Sequence, residues 1–149
     1  MMKKPIRVLE IISGFAIEGP LGGIERFGIE LAQAVAGEEV EPIVCGMWAY
    51  QTPYENNWVE FLREQGKDAF IAADWNEQSP LASFRDAYIG VRQYVTEPVD
   101  IIHSHCQFGD VLALLLKRPL KAKAIMRTVH NEREWGKRPL RRLLLTNFC

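Results

Sequence analysis

The chain has 149 residues, of which 48% are hydrophobic and 25% charged, and its net charge is −1. That is enough for one domain with a real core and too little for two ordinary ones. The composition excludes a disordered chain, and no apolar stretch approaches the roughly 20 residues that cross a bilayer. Arg7 and Glu10 interrupt the first apolar run, which argues against a secretory leader. Cys45, Cys106 and Cys149 are few, odd in number and far apart. They fit a reducing compartment better than a disulfide framework, so a cytoplasmic location is expected.

Ile6–Ile12 is rich in β-branched residues and predicts a first strand. Residues 13–22, punctuated by Gly14, Gly19, Pro20 and Gly22, predict a loop. From Gly23 the pattern turns helical, with Ile24, Phe27, Leu31 and Val35 at spacings of three and four, and Gly37 as its stop. Val40–Cys45 predicts a second strand, and 55–65 a helix with Trp58, Phe61 and Leu62 on one face. Residues 69–72 read as a third strand and 81–95 as a helix striped by Phe84, Tyr88, Val91 and Val95. A fourth strand over 100–104 leads into a helix over 108–116, apolar almost all round and therefore expected to be buried. Residues 124–129 predict a fifth strand, and 138–148 one more amphipathic helix.

Strand and helix thus alternate five times, the pattern of an α/β fold. It predicts a Rossmann-like, doubly wound parallel sheet with helices on both faces. Charge is divided along the chain. Residues 1–116 hold eight Lys/Arg against 17 Asp/Glu, whereas 117–149 hold ten against two. The basic end is either a surface for an anionic partner, such as a phosphorylated ligand or lipid head group, or a solvated helix face. The apolar Leu143–Leu145 and Phe148 come just before the last residue, and the sequence reads as part of a longer protein.

Several nucleotide fingerprints are missing. The first turn does not spell Gly-x-Gly-x-x-Gly, and Cys45-Gly46-Met47 offers no acidic residue for a ribose. A Walker-type loop is also lacking. What stands out instead is Gly22-Gly23 opening a helix. A helix N-terminus attracts anions, and paired glycines let a phosphate approach the backbone; the plainer alternative is a turn that needs positive φ.

His103 and His105 alternate on the fourth strand and share one side. His103 lies within the apolar run and reads as a packed, hydrogen-bonded residue. His105, at the strand end, is expected to enter a cleft and to exchange a proton near neutral pH. His103, His105 and Cys106 would make three metal ligands with no fourth signalled, so no metal is expected. Cys106 beside a histidine also has the form of a nucleophile.

In the strand order 3-2-1-4-5 the winding reverses between the first and fourth strands. Gly22-Gly23 and His105 should therefore border one crevice, with His130 and Asn131 on the same rim and Arg133 and Lys137 close behind. His130 could equally cap a surface turn. Trp48, Tyr50 and Tyr54, placed after the second strand, either stack on a sugar ring or pack beneath a loop.

Taken in order, Ile6–Ser13, Gly22-Gly23-Ile24-Glu25-Arg26, Asp100-Ile101-Ile102-His103-Ser104-His105 and Thr128-Val129-His130-Asn131 resemble the N-terminal domain of GT-B-fold glycosyltransferases of family GT4. The resemblance covers nearly the whole chain. It implies a retaining transfer of a sugar from a nucleotide-sugar donor to an acceptor, with neither metal nor cofactor. It places Gly22 and Gly23 against the donor diphosphate. It places His105 near the reacting sugar, where it would hydrogen-bond the sugar and stabilise charge as the diphosphate leaves. Basic residues after the fifth strand, here Arg133 and Lys137 behind His130 and Asn131, would meet an anionic acceptor. The basic helix from Arg138 would lie near a membrane surface, and no nucleic-acid partner is expected.

In that family most donor contacts come from a second Rossmann-like domain, of which nothing is present here. The 149 residues are therefore expected to form one wall of the cleft and to be inactive alone. Two other readings stay open: half of another enzyme on this scaffold, such as a sugar epimerase or phosphorylase-like protein, and a non-catalytic Rossmann-like binding module.

Overall fold

The computed structural model describes residues 4–18 and 22–130. The elements are β1 (Ile6–Ile12), α1 (Gly23–Val35), β2 (Val40–Ala49), α2 (Glu55–Glu64), β3 (Asp68–Asp74), α3 (Pro80–Tyr94), β4 (Ile101–Ser104), α4 (Gln107–Leu116) and β5 (Ala124–Arg127). The helix expected over 138–148 lies outside the described residues. The five strands are all parallel, in the order β3-β2-β1-β4-β5. The expected doubly wound order is therefore present, with its reversal between β1 and β4.

Side-chain alternation on β1 sorts the two layers. Leu9 and Ile11 face α3 and α4, where they join Ile43, Cys45, Val91, Ile102, Leu112 and Leu116 in the larger core. Ile12 faces α1 and α2, packing with Phe15, Ile29, Val44, Val59 and Leu62. Helices thus cover both faces, as the β-α repeat requires.

Two departures from expectation have clear causes. β2 runs four residues past Cys45, through Gly46 to Ala49, because partners on both sides continue the ladder: Gly46 with Ile12, and Trp48 and Ala49 with Ala73 and Asp74. Gly46 is a weak strand former, but Phe15 fills the space of its missing side chain, with a ring carbon 2.8 Å from where a Cβ would lie. β5 stops at Arg127 because its only described neighbour, β4, ends at the paired Ser104. Trp48 therefore belongs to a strand, not to a loop after one.

Helix faces also differ. In α1 the buried positions are Glu25, Gly28, Ile29 and Ala32, one step round from the expected stripe, and Phe27 and Val35 are exposed. Small residues at 28 and 32 let the helix approach the sheet more closely than the larger Phe27 and Leu31 would. α4 is buried on one side only, the side that packs on β1, β4 and β5, and it leaves Phe108, Val111 and Leu115 exposed.

Helix and sheet approach closely at Gly90 of α3, where an added Cβ would lie 1.9 Å from the carbonyl oxygen of Ala72. Backbone on both sides leaves nothing flexible to yield. Gly90→Ala is expected to destabilise the domain by about 2–3 kcal/mol in urea unfolding. Gly37→Ala, with no atom within 4 Å of the added methyl, should stay near wild type.

Candidate functional site

The site grows from a carboxylate inside β1. Glu10 points to the α1 face of the sheet, and the ladder places it beside His103 of β4, which in turn pairs with Met126 of β5. His105 follows on the same side, its amide donating to the carbonyl of Ile11 at 3.0 Å, so the extended backbone continues beyond the end of β4. The two imidazole centroids are 4.2 Å apart.

One oxygen, Glu10 Oε2, accepts from both rings: His105 Nε2 at 2.8 Å and His103 Nδ1 at 3.0 Å. His103 Nε2 meets Thr128 Oγ1 at 2.9 Å, which anchors the chain of bonds to the residue after β5. All three acid and imidazole side chains are buried, Glu10 at 2% exposure and His105 at 1%. Burial by itself would raise the Glu10 carboxyl. The hydrogen bonds and charges of His103 and His105 more than offset it and hold the group below the ordinary carboxylate value.

Helix α1 forms the roof. Gly28 sits directly on His105, since a Cβ there would be 2.6 Å from Ile12 Cγ2 and 3.3 Å from the imidazole Cδ2. Phe27 meets His105 edge-on at 6.0 Å and His130 at 5.2 Å, and the two histidine rings are 5.8 Å apart. The helix opened by the diglycine turn therefore lays its second turn over the strand-four histidine. His105 Nδ1 is buried and has no hydrogen-bond partner among the described residues.

At the head of α1, Gly22 is the N-cap with φ −150°, and its amide donates to Glu25 Oε2 at 3.0 Å. Neither Gly22 nor Gly23 has a positive φ, so the turn does not need glycine for its backbone conformation. Nothing lies within 4 Å of a Cβ at either position. Both face open space.

The structure thus brings Gly22, Gly23, His105 and His130 to one end of the sheet, whereas Asn131, Arg133 and Lys137 lie outside the described residues. One expectation needs revision, and the two alternative readings of Cys106 gain no support. His105 does not open into a cleft, because the continued strand geometry directs it beneath α1. The trio of close ligand atoms is Glu10, His103 and His105, not the set containing Cys106. Its nitrogen–oxygen separations of 2.8 and 3.0 Å are hydrogen-bond lengths, shorter than the roughly 3.3 Å between two ligands on a tetrahedral zinc. Burial pushes the Cys106 thiol up to about 11, which does not suit a nucleophile at neutral pH.

Trp48 is packing, its Nε1 donating to the carbonyl of Ser83 at 3.1 Å and its ring set between Trp75 and Phe108. Tyr50 is half-buried beside Trp75, and burial raises its hydroxyl to about 12. Tyr54 is exposed, lining a shallow depression of about 280 Å³ with Trp58 and Phe61.

Glu10 is the residue that sequence reasoning missed. Its signal was the break in an otherwise apolar strand, since a carboxylate at a core-facing position is rarely buried without partners. Comparison of the chain with protein-family models, with curated proteins and with solved structures gives no match.

Proposed function

We propose that this chain is the acceptor-side domain of a retaining glycosyltransferase that moves a sugar from a nucleotide-sugar donor to an acceptor. The observation that carries the reading is the seating of the Gly22-Gly23 helix on His105 at the carboxyl end of the sheet, where the winding reverses. Ligands of open α/β sheets bind at that edge. A diphosphate would approach the two bare glycines at the head of α1, where neither carries a side chain and the Glu25 carboxylate on the Gly22 amide would have to give way. The unpaired Nδ1 of His105 would take a sugar hydroxyl once Phe27 moves aside. The order of motifs supports the GT-B, family GT4 assignment, and with it a mechanism that uses no metal. The basic segment after 116 suits an anionic acceptor or the surface of an anionic membrane on the cytoplasmic side. No described helix is long and apolar enough to cross a membrane.

The open space at Gly23 makes a clean test. Gly23→Val should leave the amide spectrum and thermal unfolding near wild type while weakening nucleotide-diphosphate binding about tenfold by titration calorimetry. Unaltered affinity would remove the phosphate role. These 149 residues alone should turn over none of a panel of nucleotide sugars, and measurable transfer by them would refute the need for a second domain.

A second reading, a non-catalytic Rossmann-like binding module, is favoured by the complete burial of His105. Sugar transfer by the full-length protein decides between the two.

A further inference from the structure

We infer that Glu10 is a positioning residue for His105: it binds Nε2–H and so keeps Nδ1 of that imidazole as an open acceptor for a ligand hydroxyl. The inference rests on the transferase reading, which supplies the hydroxyl. It follows from counting donors. An ionised carboxylate only accepts, so each imidazole nitrogen that touches Glu10 Oε2 must bear its proton. His103 touches it through Nδ1 and His105 through Nε2. When neutral, the adjacent rings are thereby fixed in opposite tautomers.

The remaining nitrogens then have different fates. His103 Nε2 becomes an acceptor and receives the Thr128 hydroxyl. His105 Nδ1 becomes an acceptor that receives nothing from the described residues, although it is buried. A buried acceptor left without a donor is costly and uncommon in native structures. A hydroxyl fits it; an anion does not, because a lone pair would face it. The chain Thr128–His103–Glu10–His105 joins β4 and β1 to the residues just after β5 and β4, so three paired strands hold the geometry.

The test is a ¹⁵N-histidine spectrum of the protein, recorded above the pH at which either ring titrates. His103 should appear as the Nδ1–H tautomer, the less favoured form of free imidazole, and His105 as Nε2–H with a bare Nδ1. Glu10→Leu removes the acceptor and should return His103 to Nε2–H, donating to Thr128. Glu10→Gln retains an acceptor oxygen and should keep the pair of tautomers. In the full-length protein, Glu10→Leu should lower kcat about 10–100-fold with the donor KM within twofold, and Glu10→Gln should recover most of the loss. His105 bearing its proton on Nδ1 in the wild type overturns the assignment, and so does an unchanged tautomer pair in Glu10→Leu. The wild-type spectrum decides even where Glu10→Leu does not fold. The expected tautomers without any turnover by the full-length protein would defeat the transferase reading and leave Glu10 in its role. Turnover with inverted tautomers would do the opposite.

Discussion

On the transferase reading proposed above, His105→Ala in the full-length protein is expected to lower kcat by about 10²–10³-fold, or roughly 2–4 kcal/mol of barrier, the scale seen when one preorganised hydrogen-bonding group is removed from an active site. The reasoning starts from position. His105 is held by Glu10 below and by Gly28 and Phe27 above, so its free nitrogen cannot turn away to find water. A group fixed in that manner spends little reorganisation energy when charge develops on the departing diphosphate. Because the ring is fully buried, Ala also leaves a void and unbalances Glu10, so urea unfolding must be recorded alongside turnover. His105→Gln separates the two effects. Its amide can reach Glu10 and restore stability, but it presents no acceptor where Nδ1 stands, so kcat should remain low. Turnover unchanged in a folded Ala variant would end the role of His105.

The second large effect concerns stability. Glu10→Ala should cost about 3–5 kcal/mol in urea unfolding at pH 7, because two buried imidazole N–H groups lose their acceptor together. The pH dependence has a definite sign. The Glu10 carboxyl is held below its ordinary value of 4.5 in the folded chain, so in acid the unfolded chain binds the proton more readily. The stabilisation is therefore fully present above about pH 4.5 and fades as pH falls through the lowered folded value. The stability gap between wild type and Glu10→Ala should narrow progressively as pH falls below about 4.5. Parallel curves over that range would show that the ionised carboxylate contributes nothing.

Much of the fold was legible because β-branched runs and helical spacings mark elements locally. Ile6–Ile12 and the start of α1 at Gly23 needed no tertiary information. The far half of β2 did, since Gly46 and Met47 are strand only by virtue of their neighbours in the ladder. The buried side of α1 was misread for a related reason. Hydrophobicity favoured Phe27 and Leu31, but the sheet surface below contains His105 and Ile12, which admit only a glycine at 28. At the site, the shared side of His103 and His105 followed from strand alternation, and the packed, hydrogen-bonded state expected of His103 is observed. Glu10 stayed hidden because its partners lie more than ninety residues away, on a strand whose adjacency only topology supplies.

The head of α1 has one more implication. Glu25 folds back so that its carboxylate takes the Gly22 amide, which means the dipole end of that helix already has a negative occupant tethered to it. An incoming diphosphate would enter by exchange, displacing a rival whose local concentration is set by three intervening bonds of side chain. A weak monoanion would lose that contest, whereas a doubly charged one brings enough extra attraction to win it. Selectivity by valence would then reside in Glu25 before any sugar or base had been read.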